Sequence, residues 1–483
     1  MPYTRLIAAF FFVLMVFLLL CLPANHPYFT VESMLLAAIF AGILWLMALD
    51  GNFIMDLLVY LFTAYFTQRI VIVYFFPESL DHQDYLIFTH HDFTQAMYFL
   101  ALSTFAALSA YVCSLYVGRR LPKSCAQLSS VIAPIHIFGQ KFSFNNLFKI
   151  YAITAALLTI IQLYLITFMA VGVTGVPFER QYAVIFRFSN FLNSLTFLPF
   201  IVILSNEKGK NKKLAIVLIA LMILNALFRV SKGVILSFAL QYLICYYLVK
   251  GPIPKKYFKY AFVGLLITIF LYAPVIMYLR SLAIQYSLVG NLDGALANVS
   301  YTDFFMFSDK SFGFLQRLGG LDWLLGCINV GRDSFPWWAS FTGDLLMVVK
   351  TFVPGDTLMF IEGYVPVSII IPELMRGWNM AFHPGHGELL GGAGMAYVYW
   401  GLVGGVLFFY VWVFLLLLMF NSKIHVIYKN LFVLWLLVDV FIGGGFITPL
   451  CRIYEAFISI VIFFVVYCVV KVKFNNRCVV KLY

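Results

Sequence analysis

The stretch AFVGLLITIFLYAPVIMYLRSLAIQYS, residues 261–287, decides how this chain is read. It carries no charge until Arg280, and there the character of the sequence changes. From Leu279 to Gly387 the chain holds six cations and nine carboxylates, with His383 and His386 close together at the end. Before Tyr278 and after Gly391 the sequence reads as bilayer-embedded scaffold. A chain that keeps one long ion-bearing loop on one side of a membrane places its chemistry there.

The scaffold follows from hydropathy. Hydrophobic residues make up 63% of the chain and charged residues 11%. Many apolar runs reach the ~20 residues that a helix needs to cross a hydrocarbon core. A helix satisfies its own backbone hydrogen bonds in lipid, so these runs predict an all-α polytopic membrane protein. The predicted spans are 6–23, 31–49, 53–76, 93–117, 147–171, 188–205, 214–228, 233–249, 259–278, 392–420, 428–447 and 453–470. That makes about twelve transmembrane helices, both termini on one side. They form a single integral domain over 1–483, with the large loop 279–391 between the ninth and tenth spans. The first span resembles a signal sequence but has no small-residue cleavage site after Cys21, which predicts a retained anchor.

Lysine and arginine set the orientation. One side carries Arg5, Arg119, Arg120 and Lys123, then the groups around Lys141, Lys210, Lys255 and Lys423, and the tail with Lys471 and Lys481. That side has 20 cations and the other 12, nine of them arginine. The lysine-rich side reads as cytoplasmic, and the long loop as extracytoplasmic. The net charge of +11 is accounted for by these clusters, which suit anionic lipid headgroups, so nucleic-acid binding is not indicated. Only Cys327 of the eight cysteines lies within the long loop, which excludes a disulfide framework there. The acidic connection from Phe76 to Phe93 contains His82, His90 and His91, either a metal site or simple surface histidines.

Apolar patches interrupt the long loop at Phe304–Phe307, Trp323–Leu325, Trp337–Trp338, Leu345–Val353 and Val365–Ile371. The pattern suits short helices lying along the membrane surface. It fits a ligand that is itself partly in lipid, and equally a lid that covers the bundle.

The residues able to carry chemistry gather at span ends. The apolar run Leu214–Phe228 has 15 residues, about 22 Å of helix, short of a ~30 Å core. Arg229 and Lys232 at its tip therefore sit near headgroup depth, the level of a lipid-linked diphosphate, or reach ordinary lipid phosphates. Arg280 follows the ninth span. Arg452 opens the last, with Glu455 on the same helix face to neutralise or orient it. Arg317, Arg332 and Arg376 are further loop candidates, though any single one reads more readily as a surface ion-pair partner. The segment His383–Gly392 offers Glu388, His386 and His383 as general bases, or as a turn with a helix-start Glu. Asp439 is a carboxylate within the eleventh span. There is no P-loop, dinucleotide fingerprint, serine elbow or Asp-x-Asp metal–nucleotide motif, so no cofactor, metal or soluble nucleotide-sugar donor is expected.

Five segments together resemble a known family. They are FRVSKGVILSFALQY (228–242), MYLRS (277–281), FVPGDTLMF (352–360), HGELLGGAGMAYVYWGLVGGVLFF (386–409) and CRIYEAF (451–457). Their order and placement are similar to those of the Wzy-type polymerases of O-antigen and related bacterial polysaccharides, including the enterobacterial common antigen type. The likeness covers the chain from about residue 220 onward. It implies a metal-independent fold of the GT-C type in the bacterial inner membrane, with both termini cytoplasmic and the active site facing the periplasm. It further implies inverting glycosyl transfer between two undecaprenyl-diphosphate-linked oligosaccharides. Arg229, Arg280 and Arg452 would stabilise the leaving diphosphate, while Lys232 departs from the family's pattern. Membrane lipids, a chain-length regulator and a flippase are the other partners this predicts. A ligase moving finished glycan from the same lipid, or a flippase for it, are the alternatives. A flippase would favour paired repeats with helices broken at the midplane, and no internal repeat is evident.

Overall fold

The computed structural model describes residues 3–80, 88–118, 135–137, 140–142, 144–165, 195–205, 209–228, 233–254, 292–298, 320–330, 341–342, 391–422, 426–433 and 436–437. A few single positions between 257 and 289 are also described. In chain order the helices are α1 (Thr4–Leu20), α2 (Val31–Leu49), α3 (Phe53–Phe62), a π-helical segment (Thr63–Thr67), α4 (Gln68–Phe75) and α5 (His90–Gly118). A short hairpin of β1 (Ile135–Ile137) and β2 (Gln140–Phe142) follows, antiparallel with Ile135 opposite Phe142. Next come α6 (Phe144–Leu165), α7 (Leu198–Leu204), α8 (Lys210–Phe228), α9 (Gly233–Lys250), α10 (Leu292–Asn298), α11 (Gly320–Val330), α12 (Gly391–Asn421) and α13 (Val426–Val433).

Among the described residues, four helices are long and apolar enough to cross a membrane: Val31–Leu49, Phe53–Phe75, His90–Val117 and Gly392–Asn421. They lie on the expected spans 31–49, 53–76, 93–117 and 392–420. The chain is a helical membrane protein. Its α1 carries a stripe of exposed Leu6, Phe10, Val13, Phe17 and Leu20, three or four residues apart, as a lipid-facing surface would. The expected span 453–470, and nearly all of 259–278, lie outside the described residues.

Local chemistry starts these helices where they start. Thr30 and Ser33 form a reciprocal capping box at α2, Thr30 Oγ1 accepting from the Ser33 amide at 3.2 Å and Ser33 Oγ from the Thr30 amide at 2.9 Å. Asn52 Oδ1 caps α3 by accepting from the Ile54 amide at 2.9 Å. The turn between them uses Gly51 at φ 67°, a conformation that only glycine adopts freely. Thr89 and Asp92 repeat the reciprocal cap at α5, with bonds of 2.7 Å and 3.3 Å.

The chain divides into two compact units. Unit 1 comprises Met1–Ser124, Asp309–Lys423 and Phe432–Leu450. Within it α5 and α12 run parallel. Tyr397 donates to Gln95 at 3.0 Å and packs edge-on against Phe99, and further along Phe99 meets Phe409 at 6.1 Å. The pair of α3 and α4 runs the other way, Phe62 meeting Phe409 and Phe53 stacking on Phe420. Both α5 and α12 therefore begin at one end of the unit, called here the loop end. The opposite end holds Arg5, whose Nε donates to the Ala48 carbonyl, and Tyr111, which donates to the Asp50 carboxylate.

Glycines let α5 and α12 approach closely. A Cβ at Gly405 would come within 2.6 Å of the Phe99 ring. At Gly401 the backbone takes φ 65° and ψ −165°, and α12 is broken there into two helical pieces. That region of backbone space belongs essentially to glycine.

Unit 2 comprises Cys125–Ser308, Ile424–Leu431 and Cys451–Tyr483. Its described core packs α7 against α8 and α9, and α6 against α8. Buried polar side chains cross between elements: Thr196 donates to Gln241 at 2.8 Å, and the Cys245 thiol to Asn430 Oδ1 at 3.3 Å. Where helices gain no hydrophobic attraction for one another in lipid, such bonds and close packing hold them together.

Candidate functional site at the loop end of unit 1

One helix of the long loop is built into the membrane bundle. Every residue from Leu321 to Ile328 of α11 is buried. The sequence GLDWLLGCINV is apolar on nearly all sides, and a helix of that kind must be enclosed. The surface-lying helix expected around Trp323–Leu325 is thus an internal one, packed against α12, α5, α4 and the π-helical segment.

A buried ion pair fixes the start of α11. Arg69, from α4, donates from Nε to Asp322 Oδ1 at 2.8 Å and from Nη2 to Asp322 Oδ2 at 2.7 Å. Two parallel bonds between guanidinium and carboxylate make the strongest and most directional form of such a pair. Arg69 Nη2 also donates to the Ser79 carbonyl at 2.6 Å, and Nη1 to Ser79 Oγ at 3.3 Å. Arg69 is 2% exposed and Asp322 4%. Asp322 stands in the first turn of α11, where the helix dipole favours a negative charge. Gly320 gives the chain room to enter, since a Cβ there would lie 3.2 Å from the rings of Tyr65 and Phe66.

The other end of α11 is tied to α5. Asn329 Nδ2 donates at 3.2 Å to Asp92 Oδ2, the same oxygen that accepts from the Thr89 amide. One carboxylate thereby starts α5 and holds the loop helix. Beside it, Gln95 accepts from Tyr397 and contacts His91 Nε2 at 2.8 Å, a contact in which the amide donates and the imidazole accepts. His90 and His91 are exposed. On the neighbouring turn, His26 Nδ1 accepts from the Tyr28 and Phe29 amides, so its Nε2–H donates to the Tyr74 carbonyl at 3.1 Å.

No group of three or more His, Cys, Asp or Glu placed to hold a metal occurs among the described residues, and His82 lies outside them. Burial pushes the Cys327 thiol well above its usual range, which leaves it protonated and unreactive.

The site residues expected from the sequence lie outside the described residues: Arg229, Lys232, Arg280, Arg452, Glu455, Arg317, Arg332, Arg376, His383, His386, Glu388 and Asp439. Their flanks are described. The hairpin expected around Arg229 is bracketed by α8, ending at Phe228, and α9, starting at Gly233. Arg69 and Asp322 did not stand out in the sequence. An arginine inside an apolar span is itself a signal, because a charge at that depth needs a partner. Compared with models of protein families, with curated proteins and with solved structures, the chain matches none.

Proposed function

We propose that the chain is a polysaccharide repeat-unit polymerase of the inner membrane, joining undecaprenyl-diphosphate-linked oligosaccharides at the periplasmic face. The observation that carries this reading is the enclosure of α11 at the loop end of unit 1. A loop anchored into a membrane bundle by a buried Arg69–Asp322 pair is a fixed part of a surface at the bilayer edge. Lipid-linked substrates present their sugars and diphosphates at that level. The arginine-bearing segments that resemble the polymerase family add the chemistry.

In this reading an acceptor hydroxyl attacks the anomeric carbon of the donor sugar from the face opposite the diphosphate. The hydroxyl proton passes to a base drawn from Glu388, His386 or His383, and the carbon–oxygen bond to the diphosphate breaks. Arg229, Arg280 and Arg452, with Lys232, neutralise the charge that grows on the departing diphosphate. Glu455 orients Arg452, and Arg317 and Arg376 hold the glycan in the loop. No metal or nucleotide enters the reaction.

Deleting the gene and separating the surface glycans on a gel tests the class. A polymerase leaves single-repeat products and loses the ladder. Loss of all surface glycan points instead to a ligase or a flippase.

A further inference from the structure

We propose, resting on the polymerase reading, that Glu32, His91, Gln95, Tyr98 and Tyr397 form a sugar-binding platform at the loop end of unit 1. It holds the glycan of the lipid-linked substrate. His91, Gln95 and Tyr98 follow one another at spacings of four and three residues and so share one face of α5. Their side chains reach two further helices. Gln95 accepts from Tyr397 of α12 at 3.0 Å and donates to His91 Nε2 at 2.8 Å. Tyr98 donates to Glu32 of α2 at 3.1 Å. Glu32 and His91 are exposed, Tyr98 is 41% exposed, and Gln95 and Tyr397 are half-buried. The exposed residues of α5 from Leu102 to Val117 are all apolar or aromatic. The polar face therefore stops where lipid contact starts.

Position links this face to the long loop. Helix α11 ends at Val330 with Asn329 bonded to Asp92 of α5, and α12 begins at Gly391, six residues before Tyr397. The segment 331–390 thus leaves and rejoins the bundle beside the first turns of α5. That segment contains Arg332, Arg376, His383, His386 and Glu388.

Exposed side chains ordinarily move freely, and holding one still costs conformational entropy. Here bonds between side chains fix a planar amide, an imidazole, a carboxylate and two phenols before any ligand arrives, which lowers the cost of binding one. Among the described residues, Gln95 keeps a second N–H, Glu32 a second oxygen and His91 its Nδ1–H for a ligand. Neighbouring hydroxyls on a sugar ring each donate and accept, which matches such a mixture. The part-exposed ring of Tyr98 adds apolar surface for the sugar's C–H groups. The five side chains hold one carboxylate and no cation, so they suit an uncharged sugar and repel an acidic one.

The test is calorimetry on the full chain in detergent. The probe is the free oligosaccharide cut by mild acid from the cell's own undecaprenyl-diphosphate-linked repeat unit. The unaltered protein is expected to bind it. Gln95→Leu, and separately Tyr98→Phe, should bind about tenfold more weakly, the loss that follows from removing one hydrogen bond to a ligand. Tyr98→Phe removes a single exposed oxygen and so keeps the fold. An oligosaccharide that does not bind overturns the proposal, as does either variant binding as tightly as the unaltered protein. Polymer formation in liposomes separates the platform from the polymerase reading. Polymer made by the unaltered protein, with sugar binding untouched in the variants, removes the platform alone. Sugar binding that both variants weaken, with no polymer made, keeps the platform and removes the polymerase.

Discussion

Replacing Asp322 with alanine is expected to destabilise unit 1 by about 3–5 kcal/mol, the typical result of leaving a buried charge without its counterion. Arg69 keeps its bonds to Ser79 but loses the carboxylate that took two of its donors. The start of α11 is then released from α4, while Asn329 still holds the other end to Asp92. Protease should cut the long loop sooner in the variant, and thermal unfolding in detergent should begin at a lower temperature. The double change Arg69→Met with Asp322→Leu separates charge from packing. Substituting both partners by apolar groups of similar size is frequently neutral, so the double variant should recover most of the loss. If Asp322→Ala alone leaves cleavage and melting unchanged, the pair does not hold α11.

The second large effect concerns transfer itself. Arg280→Ala, and separately Arg452→Ala, should abolish polymer while the protein remains in the membrane at its normal level. An arginine that meets a diphosphate only as negative charge accumulates stabilises the transition state more than the bound substrate. Losing one such group typically slows a reaction by about 100- to 1,000-fold. Gel separation of surface glycans, with immunoblotting of the membrane fraction, reads both quantities. A variant that still makes full-length chains removes its arginine from the diphosphate role.

Much of the helical frame was legible because hydropathy and capping are local. Val31–Leu49 was read to the residue, and α12 begins one residue before its expected start. Thr30 and Asn52 announce their helices through short side chains that reach back to backbone amides within three residues. The break at Gly401 was hidden among several glycines, since composition does not say which of them takes a positive φ. The π-helical turn at Thr63–Thr67 left no trace in the apolar pattern. Arg69 and Asp322 are separated by 253 positions, and nothing in either neighbourhood names the other. Their pairing arises when the bundle closes. It also lets α11 sit inside the unit, because the charge of its acidic residue is neutralised there by Arg69. The parallel course of α5 and α12 puts the starts of these two helices at the same end of unit 1.

The most direct measurement is reconstitution. The purified chain is placed in liposomes with a single undecaprenyl-diphosphate-linked repeat unit and no other protein, nucleotide or metal. Products longer than one repeat, released together with free undecaprenyl diphosphate in equal number to the bonds formed, are the expected result. Repeat units that stay single, or that cross the bilayer unaltered, would contradict it.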